Sequence, residues 1–185
     1  MGGGRRKPRG RLRIGSLAAL ATALRIPALS AFQRAYPDIT IAMGISDRPV
    51  NIVGEGVDCV IRAGTIDELS MVGRKLLDLT YATRTPRACL ARMGTPRSPA
   101  DLASHVCLGY SSIEKSKPKP LRFEAGGDCT EVDTGVLSAN DSNDLLALMC
   151  AGMRVGQQAP AWCSERGELV RLLPEQQQPS LPFLS

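Results

Sequence analysis

The sequence predicts an α/β fold built on a parallel sheet, and three observations carry that expectation. Between Leu12 and Ile61, short apolar segments alternate with helical patterns in the order strand, helix, strand, helix, strand. Right-handed crossovers turn that order into parallel pairing. The 185 residues are 43% hydrophobic and 22% charged, ordinary for a globular chain with a real core and against disorder. This length allows one domain or two small lobes. No apolar run approaches the ~20 residues that a membrane-spanning helix needs, so an integral membrane protein is not expected.

Leu12–Gly15 reads as a short strand ended by Gly15-Ser16, with Ser16 a good N-terminal cap for a helix. From Leu17 to Tyr36 apolar residues recur at three- and four-residue steps, an amphipathic helix bent near Pro27 and stopped by Pro37. Ile39–Ile45 is a second strand. Asp47-Arg48-Pro49 then opens a second helix, with Gly56 as its C-terminal cap. Cys59–Ile61 is nearly continuous in apolar character, as a buried parallel strand is. Val72–Tyr81 is extended, Pro86–Met93 helical, and Pro99–Ser104 a short helix whose Ser98 and Asp101 match an N-terminal box. Val106–Tyr110, Leu121–Glu124 and Glu131–Ser138 supply further strands, with a basic, proline-broken loop at Lys115–Pro120. Asn140–Ala151 is a helix capped by Asn140 or Asp141, with Leu145, Leu146, Leu148 and Met149 on its apolar side; Leu169–Leu173 is a late strand.

The formal charge of +5 is localised. Residues 1–13 hold six basic side chains and no acid, leaving 17 basic and 18 acidic residues in the rest. Residues 1–11 therefore read as a flexible basic tail on a nearly neutral body. The six cysteines sit at wide, irregular gaps without a C-x-x-C pair, and His105 is the only imidazole. That pattern does not converge thiolates and imidazoles on a metal, so no metal and no cofactor are expected. Without a secretory signal, a reducing cytoplasm is the expected compartment.

Specific motifs lie on this frame. The run Ser46–Gly64 (S-D-R-P-V-N-I-V-G-E-G-V-D-C-V-I-R-A-G) closely resembles a signature of the effector-binding domain of LysR-type transcriptional regulators. Gly10–Gly15, Phe32–Pro37, Gly94–Leu102, Asp141–Gly152 and Gly167–Pro174 agree in order and spacing. The resemblance spans about residues 10–183. It implies two α/β lobes joined by two crossover strands, like type 2 periplasmic binding proteins, each lobe a mostly parallel sheet flanked by helices. Residues 12–80 with 168–185 would form lobe one, and 81–167 lobe two. It further implies a small-molecule effector in the cleft, association as a homodimer or tetramer, and no catalysis. DNA contact is expected only through the family's N-terminal helix-turn-helix, which this sequence does not contain.

In open α/β sheets ligands sit beyond the carboxyl ends of strands, where helix N-termini present free N–H groups. Ser16, Leu17, Ser46, and Arg62 to Thr65 with Gly64 among them occupy such positions; from lobe two, Ser138, Asn140, Asp141 and Ser142 face them. Ser16 is a helix cap, a ligand contact or both. Arg62 either clamps a carboxylate in two-pronged fashion or pairs with Asp47 or Asp58. Asn140, Asp141 and Ser142 either cap their helix or touch ligand. Asp58 and Glu55 are expected to shape the turn before the third strand.

The sequence also departs from the family. Relatives continue past Leu184 into a strand and closing helix that cover lobe one, which implies uncovered apolar sheet surface here. Gly152–Pro160 reads G-M-R-V-G-Q-Q-A-P where relatives carry an almost wholly apolar strand, and Arg154, Gln157 and Gln158 are costly there if buried alone. The stretch from Pro160 to Gly167 is shorter than usual. Two other readings are a free-standing solute-binding protein of the same fold and a small cytosolic enzyme using a reactive cysteine.

Overall fold

The computed structural model describes residues 8–21, 26–48, 52–64, 72–111, 117–135, 137–152, 154–159, 169–178 and 180–185. The tail through Lys7, the helix start at Pro49, Thr65, Lys115 and the Pro160–Gly167 stretch lie outside them.

The first sheet begins with β1 (Gly10–Ser16), which takes in Gly10 and Arg11 ahead of the expected Leu12. It runs parallel to β2 (Ile39–Ile45) on one side and to β3 (Cys59–Ala63) on the other. The chain then runs out along β4 (Lys75–Thr80), and the sheet is completed from far along the sequence by β12 (Ser180–Leu184). The strand order is β2-β1-β3-β12-β4, with β12 antiparallel to both its neighbours. Leu76 and Leu77 of β4 are 48% and 42% exposed.

The long helix expected from Leu17 to Tyr36 is described as α1 (Ala18–Leu20) and α2 (Ile26–Ala35), with Pro27 in the first turn of α2, where its missing N–H costs nothing. Phe32 and Tyr36 stack across one helical turn, their ring centres 4.9 Å apart. Ser16 does not cap α1: it is the last residue of β1, and its hydroxyl donates to the Leu17 carbonyl. The cap position is Leu17, which has no side-chain acceptor, and the Ala18 N–H donates instead to Asp47 Oδ1 at 2.9 Å. After α3 (Ile52–Glu55), Asp58 shapes the entry to β3 as expected. It exchanges two hydrogen bonds with Arg13 of β1, one through its carboxylate and one through its own N–H.

Past Tyr81 the second group of elements begins with β5 (Ala82–Pro86), α4 (Arg87–Met93) and a 3-10 turn at Ala100–Ser104. The box there is real: Asp101 N–H donates to Ser98 Oγ, and Ser98 N–H donates back to Asp101 Oδ2. The backbone N–H groups of Arg97 and Ser98 hold the Asp101 carboxyl below the usual carboxylate range. Next come β6 (Leu108–Tyr110), β7 (Leu121–Ala125), β8 (Asp128–Val132), β9 (Leu137–Ala139) and α5 (Ser142–Cys150). The second group ends with β10 (Gly156–Gln158) and β11 (Leu169–Arg171). β6 pairs parallel with β9; β5 is flanked by antiparallel β10 and β11.

The strand expected over Glu131–Ser138 is split between β8 and β9. Thr134 interrupts it by donating its hydroxyl to the Lys119 carbonyl. The unforeseen partner of β8 is β7, joined through Gly126-Gly127, both at positive φ as a two-residue hairpin turn requires.

Three apolar clusters hold these parts. One joins Leu20 and Leu79, beside the first sheet, to Leu146 of α5 and to Ala159. A second gathers Leu102, Cys107, Phe123, Val155 and Leu172, and a third packs α5 on β6 through Leu108, Leu145 and Met149. β10 is polar, but its burial cost is offset by direct partners. Gln157 bonds Thr83 Oγ1 and both backbone groups of Arg122, and Gln158, 2% exposed, donates to the Ser142 carbonyl. A Cβ on Gly109 would run into the Thr134 hydroxyl and the Pro118 ring. Gly109→Ala is therefore expected to lower stability by about 1–3 kcal/mol, read as a reduced urea midpoint at unchanged slope.

Candidate functional site

Between the carboxyl ends of the first-sheet strands and α5 lies a cleft of about 630 Å³, within the range of small-molecule sites. Leu17 after β1, Asp47 and Arg48 after β2, and Arg62 of β3 form one wall. Tyr110 of β6, Lys119, Asn140, Ser142 and Leu145 face them, with Gln157 and Gln158 at the back and Tyr81 at the crossing between sheets.

The walls are tied by hydrogen bonds to one carboxylate. Ser46 N–H donates to the Ser16 carbonyl, and Ser46 Oγ accepts from Arg48 N–H, a tight turn that projects Asp47. Asp47 Oδ1 takes the Ala18 N–H, and Oδ2 takes the Ser142 N–H at 2.7 Å. Asp141 caps α5 separately, its Oδ1 accepting from Asn143 and Asp144.

Arg62 is the half-buried cation of the cleft. One of its Nη atoms donates to the Arg48 carbonyl, and its Nε is buried with no hydrogen-bond partner among the described residues. No ion pair joins it to Asp47 or Asp58 among the described residues. Burial pulls its pKa down, opposed by the nearby Asp47, Tyr110 and Glu55. A guanidinium does not shed its proton, so this desolvation makes an anion beside it more favourable. Burial and the Asp47 charge push the Tyr81 and Tyr110 phenols up, so both remain protonated and can donate. Lys119 Nζ lies 5.7 Å over the Tyr110 ring.

Of the residues singled out by sequence, Leu17, Arg62, Asn140 and Ser142 line the cleft. Ser16 is 1% exposed in β1, Ser46 supports the Asp47 turn, and Asp141 is occupied as a cap. Gly64, at φ +113°, donates its N–H to Pro182, and Ser138 lines a second, more open depression with Asn140 and Asp144. Sequence reasoning missed Tyr81, Tyr110 and Lys119 as cleft residues, and saw Asp47 only as a helix opener or a partner for Arg62. Their spacing along the chain carries no local signal.

A cleft between a mixed sheet and a second α/β body, floored by strand ends and walled by a helix start, has the layout of small-molecule-binding modules. The family model described as LysR substrate binding domain matches residues 5–183, and the chain belongs to that family. It is 33% identical to an HTH-type transcriptional repressor of Pseudomonas aeruginosa, over 94% of this chain and 56% of the relative. An uncharacterized HTH-type regulator of Escherichia coli, YhjC, is likewise 33% identical, over 89% of this chain and 56% of its own length. The chain thus spans just over half the length of these curated relatives. The regulatory domain of CrgA, a LysR-type transcriptional regulator from Neisseria meningitidis, superposes with a TM-score of 0.84 at 26% identity, covering 96% of this chain and 88% of that one. The effector domain of AmpR of Pseudomonas aeruginosa shares the fold, with a TM-score of 0.76 at 21% identity over 95% of this chain and 84% of that one.

Among the described residues, the thiols sit apart from the cleft lining. His105 directs Nδ1 to the Asp101 carbonyl and Nε2 to the Gly94 carbonyl, and Cys107 Sγ faces backbone carbonyls. Burial, with Cys89 adding to it, pushes the Cys107 thiol up to about 11. The native state therefore holds this proton more tightly than the unfolded chain, and its contribution to stability falls as pH rises from about 8.5 to 11. At pH 8, exposed Cys129 is expected to react with iodoacetamide in the folded protein, while Cys107 reacts only after denaturation. Peptide mass mapping checks this.

Proposed function

We propose that this chain is the effector-sensing part of a LysR-type transcriptional regulator and that its cleft takes a small organic anion. The observation that carries the reading is Arg62: a desolvated guanidinium, its Nε buried and unpartnered among the described residues, lining a cavity of ligand size. Arg48 and Lys119 add positive charge to the same lining, while Leu17, Ala63 and Leu181 offer apolar surface to the ligand's body. On this reading the effector's acid meets Arg62 in two-pronged fashion, and the phenol hydroxyls of Tyr81 and Tyr110 and the Asn140 amide orient it.

The division into two lobes accords with the strand pairing. One boundary moves: β11, expected in lobe one as part of 168–185, pairs with β5, and Leu172 packs with Phe123, so the described residues of 10–80 with 180–185 fall to one lobe and those of 82–178 to the other. Among the described residues, only β12 returns to the first sheet. Effector binding biases lobe closure as a population shift, with no bond made or broken. The change is passed to a second subunit and, in the whole regulator, to a helix-turn-helix on DNA. The protein acts in the cytoplasm and is not an enzyme. In support, its relatives are transcriptional regulators, and among the described residues no helix is long and apolar enough to cross a membrane.

Titration with a panel of small carboxylates is expected to find members that raise the melting temperature, by about 5–10 °C at a hundredfold excess over Kd. Arg62→Ala is expected to abolish the rise while leaving the ligand-free protein folded. Absence of any shift across a broad panel, measured by differential scanning fluorimetry, would falsify the sensing role.

A further inference from the structure

We propose that Asp47 is a built-in latch across the cleft: a carboxylate of the first wall that holds the second wall in place through the Ser142 N–H. The latch goes beyond anion sensing, and only its consequence for ligand choice rests on that reading.

Asp47 is anchored on the first-sheet side. The Ser46 N–H is held by Ser16, the Arg48 N–H by Ser46, and Asp47 Oδ1 by the Ala18 N–H. Its other oxygen reaches a residue 95 positions away, the first of α5. The start of α5 has an unusual division of labour. Asp141 satisfies the N–H groups of Asn143 and Asp144 but leaves that of Ser142 to an acceptor from outside the helix. Ser142 is 7% exposed, so an N–H without a partner there is costly. A carboxylate is a strong acceptor for it, and it also sits at the positive end of a nine-residue helix. Gln158 pins the same residue from β10 by donating to the Ser142 carbonyl. The two walls are thereby joined through Asp47 and Ser142, with Gln158 fixing Ser142 from behind.

The latch restricts what the cleft can bind. With Asp47 in place, the N–H groups of Ala18 and Ser142 are taken, and the negative charge beside them repels a second carboxylate. A ligand's acid is left to Arg62 and Arg48.

The test replaces the carboxylate with a free one. Asp47→Ala is expected to lower the melting temperature by about 5–10 °C. Sodium formate, compared with sodium chloride at equal ionic strength, is expected to restore at least half of that loss. The wild type should not respond to formate. The rescue should persist in the Asp47→Ala/Arg62→Ala double variant, which separates the latch from effector binding at Arg62. Melting of Asp47→Ala at the wild-type temperature, or an equal formate effect on both proteins, overturns the proposal. Should Asp47→Ala not fold, Asp47→Asn carries the test. Its amide turns an NH2 toward one of the two N–H groups, so its melting temperature must fall below wild type, and an unchanged value overturns the latch.

Discussion

The architecture depends on a strand that arrives late. β12 runs antiparallel between β3 and β4, and without it the first sheet is a parallel three-stranded piece with β4 unattached. The chain has to leave the first sheet at Tyr81, build everything from β5 to β11, and come back to fill that gap. Two passages between the sheets result from this order, and the cleft lies between the two bodies they join.

Polar groups finish what the apolar clusters begin. Leu20, Leu79, Leu146 and Ala159 form a small apolar bridge between the sheets, but the cleft itself is closed by directional bonds. Gln157, Gln158 and Thr83 occupy positions where an apolar strand would be ordinary. Each bonds across elements: Gln157 to β7, Gln158 to α5, and Thr83 to Gln178. Hydrogen bonds of this kind contribute about 0.5–1.5 kcal/mol each and demand geometry, so they specify one arrangement more than they add stability.

Much of the fold was legible because its causes are local. The apolar run Ile39–Ile45 coincides with β2 end to end, the Ser98 and Asp101 box forms as expected, and Asp141 caps α5. Sequence reasoning failed where the cause is distant. Sequence reasoning placed its last strand at Leu169–Leu173 and assigned none to Ser180–Leu184, in which Pro182 lacks the N–H a ladder uses. Here its carbonyl still accepts from Gly64, and the pairing with β3 begins only at Phe183. Ser16 looked like a cap because serine ends a strand there, yet the acceptor comes from Asp47, 29 positions away from Ala18. At the cleft, Leu17, Arg62, Asn140 and Ser142 were visible from strand ends and a helix start. Tyr81, Tyr110 and Lys119 join them only through the crossing of the chain between sheets.

The insertion of β12 also has a consequence for biosynthesis. Thr80 of β4 and Ser180 of β12, which share a hydrogen bond, are 100 residues apart. At about 5–20 residues per second, the ribosome exposes the flanks of β3 and β4 for about 5–20 s before their partner emerges. During that interval unpaired backbone and the leucines of β4 stand open to other nascent chains. Slow codons between β4 and β12 would lengthen this interval, so translation speed there bears directly on soluble yield.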